Sequence, residues 1–403
     1  MSGQGGPGVP GGSVAPVGLE PLLAWLRAGH TAGERVDFPA GTVLPDGRLD
    51  LCKSQIGPAG AALVVDALRT RAEVEGEGGA DGEGAAPGAI RHLLLGTDGL
   101  GDDGAAEVAA RRAGTGVQTL YLGCNGISGT GACRIADQLR ASPQAVAGLW
   151  LKRNPLGGLA GHAGAELVAA APGLSTLDLV QTGLDAPGAA RLTRAVLDSG
   201  RRFERLYLGG NPLGPTGAEA LAPLLEAGVL DELYLSAAGL GDPGARTVAE
   251  GLRRAPRGRL RRLSLASDGL GAAAGAELVT AAAAADVELL DLGRVKAAAV
   301  LGAPDNRVDT EAATTIAATL SAGPHRLRHL VLSDTGMRSA QALPLLAGAE
   351  RAVTPTRFVL GKGIATSVRR RLDALSAEVP WPVVPRAVAA VRSVHRTPPP
   401  GLS

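Results

Sequence analysis

Leu206-Tyr207-Leu208-Gly209-Gly210-Asn211-Pro212-Leu213-Gly214-Pro215-Thr216-Gly217-Ala218 is the stretch whose reading decides the fold. It carries the pattern Leu-x-Leu-x-x-Asn-x-Leu-Gly-x-x-Gly-Ala, which returns every 27 to 30 residues through most of the chain. A fixed period in this range means stacked like units sharing one continuous core. Such stacks mostly present a surface for binding and seldom house chemistry. The first leucines of the units are Leu49, Leu93, Leu120, Leu149, Leu177, Leu206, Leu233, Leu263, Leu290 and Leu330, and Phe358 opens a degenerate last unit. Two steps are long, 44 residues from Leu49 to Leu93 and 40 from Leu290 to Leu330. The first contains the Gly- and Glu-rich stretch 72–89, read as a disordered insertion. The second contains Arg294–Asp305, after which Asn306-Arg307-Val308 resumes the pattern.

Within a unit the hydrophobic period changes. Leu-x-Leu alternates with period two, as a strand with one buried face should. Ala218, Leu221, Ala222 and Leu225 follow at i, i+3, i+4 and i+7, which makes one apolar helix face. Strand, helix and strand again at this spacing give parallel strands with crossover helices. Helices are wider than strands, so the stack curves with its strands inside. The expected fold is an α/β right-handed solenoid, an open horseshoe with parallel strands on the concave face and helices on the convex face.

Gly217 and its equivalents Gly131, Gly188 and Gly244 stand where the turn enters the helix and a side chain would crowd the backbone. The column Asn125, Asn154 and Asn211 reads as buried amides that satisfy loop backbone groups. Thr182, Ala238, Asp98, Asp268, Ser54 and Thr335 replace Asn in other units, so a broken ladder with looser loops is expected there.

With these residues in view, the unit resembles the leucine-rich-repeat superfamily, in the long-repeat subfamily typified by ribonuclease inhibitor. Ran GTPase-activating protein and the repeat domains of NOD-like receptors share that unit. The resemblance covers about residues 49–360; it implies a fold and a style of binding, and it does not imply a ligand.

The flanks complete the expected organisation. Residues 1–15, mainly Gly, Pro and Ser, read as a disordered tail, and 16–48 as an N-terminal cap with an apolar helix over Val17–Ala28. Thr42 to Leu49 reads as a strand, an Asp46-Gly47 turn and the first repeat strand. Residues 361–379 form a C-terminal cap with a helix near Arg369–Ser376, and 380–403 a basic, irregular tail marked by Pro380-Trp381-Pro382 and Pro398-Pro399-Pro400.

Charge is balanced at +1 over 403 residues, but the last part is not: from Arg351 onward nine Arg and Lys face Asp373 and Glu378. The tail with Arg369, Arg370, Arg371, Arg386, Arg392 and Arg396 is a weak candidate for phosphate or an acidic partner; without interleaved aromatics, nucleic acid is not expected as a partner. Arg outnumbers Lys 36 to 4, the bias of a GC-rich genome, which favours a bacterial source. The chain shows no signal peptide and no uninterrupted apolar span, so a cytoplasmic monomer without membrane contact is expected. Cys52, Cys124 and Cys133 fit reduced thiols with no metal-ligand spacing, and no cofactor is expected. Lys53 beside Cys52 could activate that thiol, but no catalytic partner can be assigned to it.

The residue between the two leucines of each strand faces the concave side. That column holds all three tyrosines of the chain, Tyr121, Tyr207 and Tyr234, and one of its three tryptophans, Trp150. Aromatics are only 2% of the chain, so this clustering singles out a partner-binding surface, with Lys152, Arg153 and Asp178 as a polar rim. The bland alternative is that the rings merely shield the strand ladder. The six histidines are scattered, and no nucleophile, phosphate-loop or zinc pattern stands out, so no catalytic or metal residue is assigned. The expected function is a non-catalytic protein-interaction module, a scaffold, inhibitor or regulator that binds a protein on its concave face. A GTPase-activating or effector-type regulatory repeat protein is the alternative.

Overall fold

The computed structural model describes residues 18–76, 89–142 and 146–395. The tail 1–15, most of the insertion 72–89, Arg396 and the proline run 398–400 lie outside the described residues. The helix Gly57–Gly76 runs into the start of that insertion, where Ala72, Glu73 and Glu75 are good helix formers.

Thirteen strands among the described residues form one open sheet in strict chain order. They are β1 (Val36–Phe38), β2 (Gly41–Val43), β3 (Arg48–Asp50), β4 (His92–Leu94), β5 (Thr119–Tyr121), β6 (Gly148–Trp150), β7 (Thr176–Asp178), β8 (Phe203–Tyr207), β9 (Leu230–Tyr234), β10 (Arg262–Ser264), β11 (Leu289–Asp291), β12 (His329–Leu332) and β13 (Arg357–Leu360). From β3 to β13 every pairing is parallel, and the first leucine of each unit is in register with the next, from Leu49 opposite Leu93 to Leu330 opposite Phe358. A strand slipped by one residue would turn its leucines outward, so the repeat itself sets the register. β1 and β2 pair antiparallel and lead into β3; the sequence pattern shows β2 but not the short β1.

One core runs the length of the stack. Leu93, Leu120, Leu149, Leu177, Leu206, Leu233, Leu263, Leu290 and Leu330 are all fully buried. The helix Glu20–Arg27 closes the first unit with Leu22, Leu23 and Leu26 at zero exposure. Small residues set the helix spacing: a Cβ at Gly161 would stand 2.1 Å from Gly188 Cα on the next helix. Leu206 lies at the middle of the stack, and Leu206→Ala is expected to destabilise the protein by about 3 kcal/mol through the cavity it leaves. Urea unfolding checks this, and a loss well under 1 kcal/mol would mean that neighbouring units collapse into the space.

The asparagine ladder is present and is longer than its sequence column. Asn211 Oδ1 accepts from the amides of Thr182, Gly183 and Leu184 at 2.9, 3.0 and 3.1 Å, while Nδ2 donates to Leu179 O and Leu208 O. Asn306, beyond the second insertion, does the same work for Asp268 N, Leu270 N, Leu265 O and Leu292 O. The expected break is found at Ala238, which has no polar side-chain atom, and at Ser54, whose Oγ has no hydrogen-bond partner among the described residues. It is not found at the other replacements, because Thr and Asp each keep half of the amide's bonding. Thr182 and Thr335 donate to Leu179 O and Leu332 O. Asp98 and Asp268 accept from Gln55 N and Ala238 N.

Candidate functional site

Each strand presents two residues to the concavity: one between its leucines and one just before the first. The aromatic column occupies the former. Four inter-strand steps of about 4.8 Å put roughly 19 Å between Tyr121 and Tyr234. Tyr207 and Tyr234 stack with centroids 4.5 Å apart and planes 15° from parallel. The Lys152 ammonium lies 5.1 Å from the centre of the Tyr121 ring. These three tyrosines are half-buried, and burial raises all three phenol pKa values above the ordinary range.

Trp150 and Asp178 are placed differently from the tyrosines. Trp150 is only 3% exposed because its ring folds back over Gly148, where a Cβ would meet the ring at 2.3 Å. Asp178 is 5% exposed; its Oδ1 accepts from Val180 N, and burial pushes its carboxyl up to about 6 against the pull of Lys152 and Arg153. Arg153 stands exposed on a left-handed turn (φ 57°) and donates to Gln181 Oε1 at 3.1 Å. The column thus presents the rings of Tyr121, Tyr207 and Tyr234 with Lys152 and Arg153, and the buried Trp150 and Asp178 stand in the same row between Tyr121 and Tyr207.

The column just before the leucines holds a site the sequence reading missed. Arg205, Glu232 and Arg262 sit side by side on β8, β9 and β10. Glu232, 1% exposed, lies 3.3 Å from Arg205 Nε and 3.6 Å from Arg262 Nε, and it accepts from Tyr234 OH at 2.8 Å. Aligning the residue before each first leucine would have exposed this alternation of charge. The aromatic column is therefore flanked along the strands by a buried ionic row on the same face.

Residues 380–395 also touch this leading column. The sequence suggests a free basic tail, but the segment returns across the mouth of the horseshoe. Arg357 donates to Val379 O at 2.7 Å and its guanidinium lies 4.6 Å over the Trp381 ring. His329 Nε2 donates to Pro380 O at 2.9 Å, and Arg262 Nη2 to Val383 O at 2.9 Å. At the far end Arg48 donates to Arg392 O, and Asp50 Oδ2 accepts from Val394 N and His395 N. Side-chain carbonyl-seeking groups on the last units and the first thus hold one segment.

Cys52 is not an activated thiol. It is 4% exposed, its Sγ accepts from Gly96 N, and burial with Asp50 nearby pushes it up to about 12. Burial outweighs Lys53, whose left-handed backbone (φ 68°) is part of the turn. Among the described residues, no group of three His, Cys, Asp or Glu side chains could hold a metal ion, and no helix is long and apolar enough to cross a membrane.

A family model described as "Leucine Rich repeat" matches residues 203–222, the unit that contains Leu206 and Asn211. With eleven parallel rungs in one leucine register, the chain belongs to the leucine-rich-repeat superfamily. No curated protein matches it in sequence. Similar solved structures include Rad7 in complex with Elc1 from yeast, at 13% identity, 75% of each chain and TM-score 0.43. The leucine-rich repeat-containing protein LegL7 of Legionella pneumophila is similar at 15% identity over 65% of this chain and 91% of that one, with TM-score 0.34.

Proposed function

We propose that this chain is a non-catalytic protein-interaction module that grips a protein partner on its concave face. The observation that carries this reading is the row of three tyrosine rings, flanked by Lys152 and Arg153, turned into the curve of the sheet. Tyrosine supplies large contact area at small entropic cost, and the neighbouring cations add attraction to an acidic partner surface. The unit length suits a ribonuclease-inhibitor-like cytoplasmic regulator or scaffold.

Tyr121→Ala with Tyr207→Ala is the informative variant, because Tyr234 is tied to Glu232. Partner capture from cell lysate is expected to fall about tenfold or more, since ring truncations at such positions each cost at least about 1 kcal/mol. The unfolding midpoint should move modestly, as cross-strand pairs contribute only about 0.2–1 kcal/mol each. Unchanged capture with a large loss of stability would instead make the rings a shield for the ladder.

A further inference from the structure

We propose that residues 380–395 are a displaceable strap, a ligand carried in cis that ties the last units to the first and shields the leading side of the concave face. The geometry is that of a chord. Val383 is held at β10 by Arg262, and Arg392, nine residues further on, at β3 by Arg48. Four of the residues between form the helix Arg386–Ala389, so the run covers roughly 23 Å. Following the wall from β3 to β10 takes seven strand steps, about 34 Å. The segment therefore takes a shorter way from the later units to the first, bridged to the wall by the long side chains of Arg48 and Arg262.

The contacts also say how the strap is held. Arg48, Arg262, His329 and Arg357 all donate to main-chain carbonyls of the segment or its root, and Asp50 accepts two of its amides. Thr42 Oγ1 donates to Asp37 and so accepts from His395, which assigns the ring proton to Nδ1. Side-chain packing is light at the start of the segment, where Trp381 is 66% and Val383 77% exposed, and the grip further on is by small residues, with Ala387 to Ala389 half-buried and Ala390 buried. A cavity of about 530 Å³ lies between Gly47, Arg91, His92, Gln118 and the short helix Arg386–Ala389. A segment bonded at its ends and hollow beneath its centre opens locally without unfolding the solenoid. An extended stretch of another protein with the same carbonyl pattern would compete for the same donors.

The strap bears on the proposed function only through its consequence for binding, and its shielding is measured without any partner. Val394→Pro with His395→Pro removes both N–H donors to Asp50 and the imidazole, while every concave residue stays intact. The probe is His92→Cys, a half-buried concave position that lines the cavity with the strap, in a Cys124→Ser, Cys133→Ser background. Strap release is expected to speed modification by a polymer-linked maleimide about tenfold or more, and modification by N-ethylmaleimide far less. Equal polymer rates with and without the prolines overturn the shielding. Hydrogen exchange of residues 386–395 in the full wild-type chain is the second measurement: protection about tenfold above that of the free peptide is expected, and exchange at the free-peptide rate overturns the docking. Unchanged partner capture by the tyrosine variant, which would sink the proposed function, would leave both results standing.

Discussion

Asp268→Asn is expected to stabilise the protein by roughly 3–4 kcal/mol at pH 8, and by far less at pH 4. Asp268 occupies an asparagine position of the ladder and is 1% exposed. Its Oδ1 accepts from Ala238 N and Leu240 N, as an amide oxygen would. Its Oδ2 finds no hydrogen-bond partner among the described residues, whereas Asn211 at the same point of its unit donates to two carbonyls. Burial pushes this carboxyl up to about 7, opposed by the loop amides. In the unfolded chain it titrates near 3.9. Between about pH 4 and pH 7 the folded state therefore holds a proton that the unfolded state has released. Stability falls as pH rises through that window, at about 1.4 kcal/mol per unit, and levels off above it. Asparagine supplies the missing donor at every pH. Urea unfolding at pH 4, 6 and 8 measures the effect; parallel pH profiles for wild type and variant would show that Asp268 stays ionised in the fold. Asp98, pushed by burial up to about 7 in the same way, contributes a second slope of the same sign.

The ionic row beside the tyrosines predicts a loss of comparable size. Glu232→Ala is expected to destabilise by about 3 kcal/mol, the lower end of the range for breaking a buried pair. It strands Arg205, whose side chain is 6% exposed, and removes the acceptor of Tyr234 OH. The loss stays at the lower end because Arg205 Nη1 keeps Glu204. Glu232→Leu with Arg205→Leu should recover most of the loss, since neither charge then has to leave water. Thermal unfolding of the single and double variants decides the matter. A double variant as unstable as the single would mean that packing at these positions, and not charge pairing, holds the strands together.

Several parts of the structure could be read one unit at a time. The alternation of Leu206 and Leu208 requires a strand with one buried face, and the spacing from Ala218 to Leu225 requires a helix against it. Gly217 is small because a Cβ there would meet Leu213 Cβ at 2.5 Å. The facing of Tyr121, Tyr207 and Tyr234 follows from the same two-residue period. The fate of Trp150 does not: its side chain turns onto Gly148, and no spacing rule distinguishes a ring that stands from one that lies down.

By itself, then, the sequence determined the repeat, its register, the open sheet and the inward column between the leucines, because a periodic pattern repeats the same local packing problem and the same solution serves each unit. The tertiary structure alone decided what joins distant units. Asp50 and His395 are 345 residues apart and are bonded because residues 380–395 run back from the last units to the first. Arg205, Glu232 and Arg262 form a row because three separate units stack in register. Neither contact leaves a trace in any one unit, since each needs residues from different units, or from beyond the repeats, brought side by side.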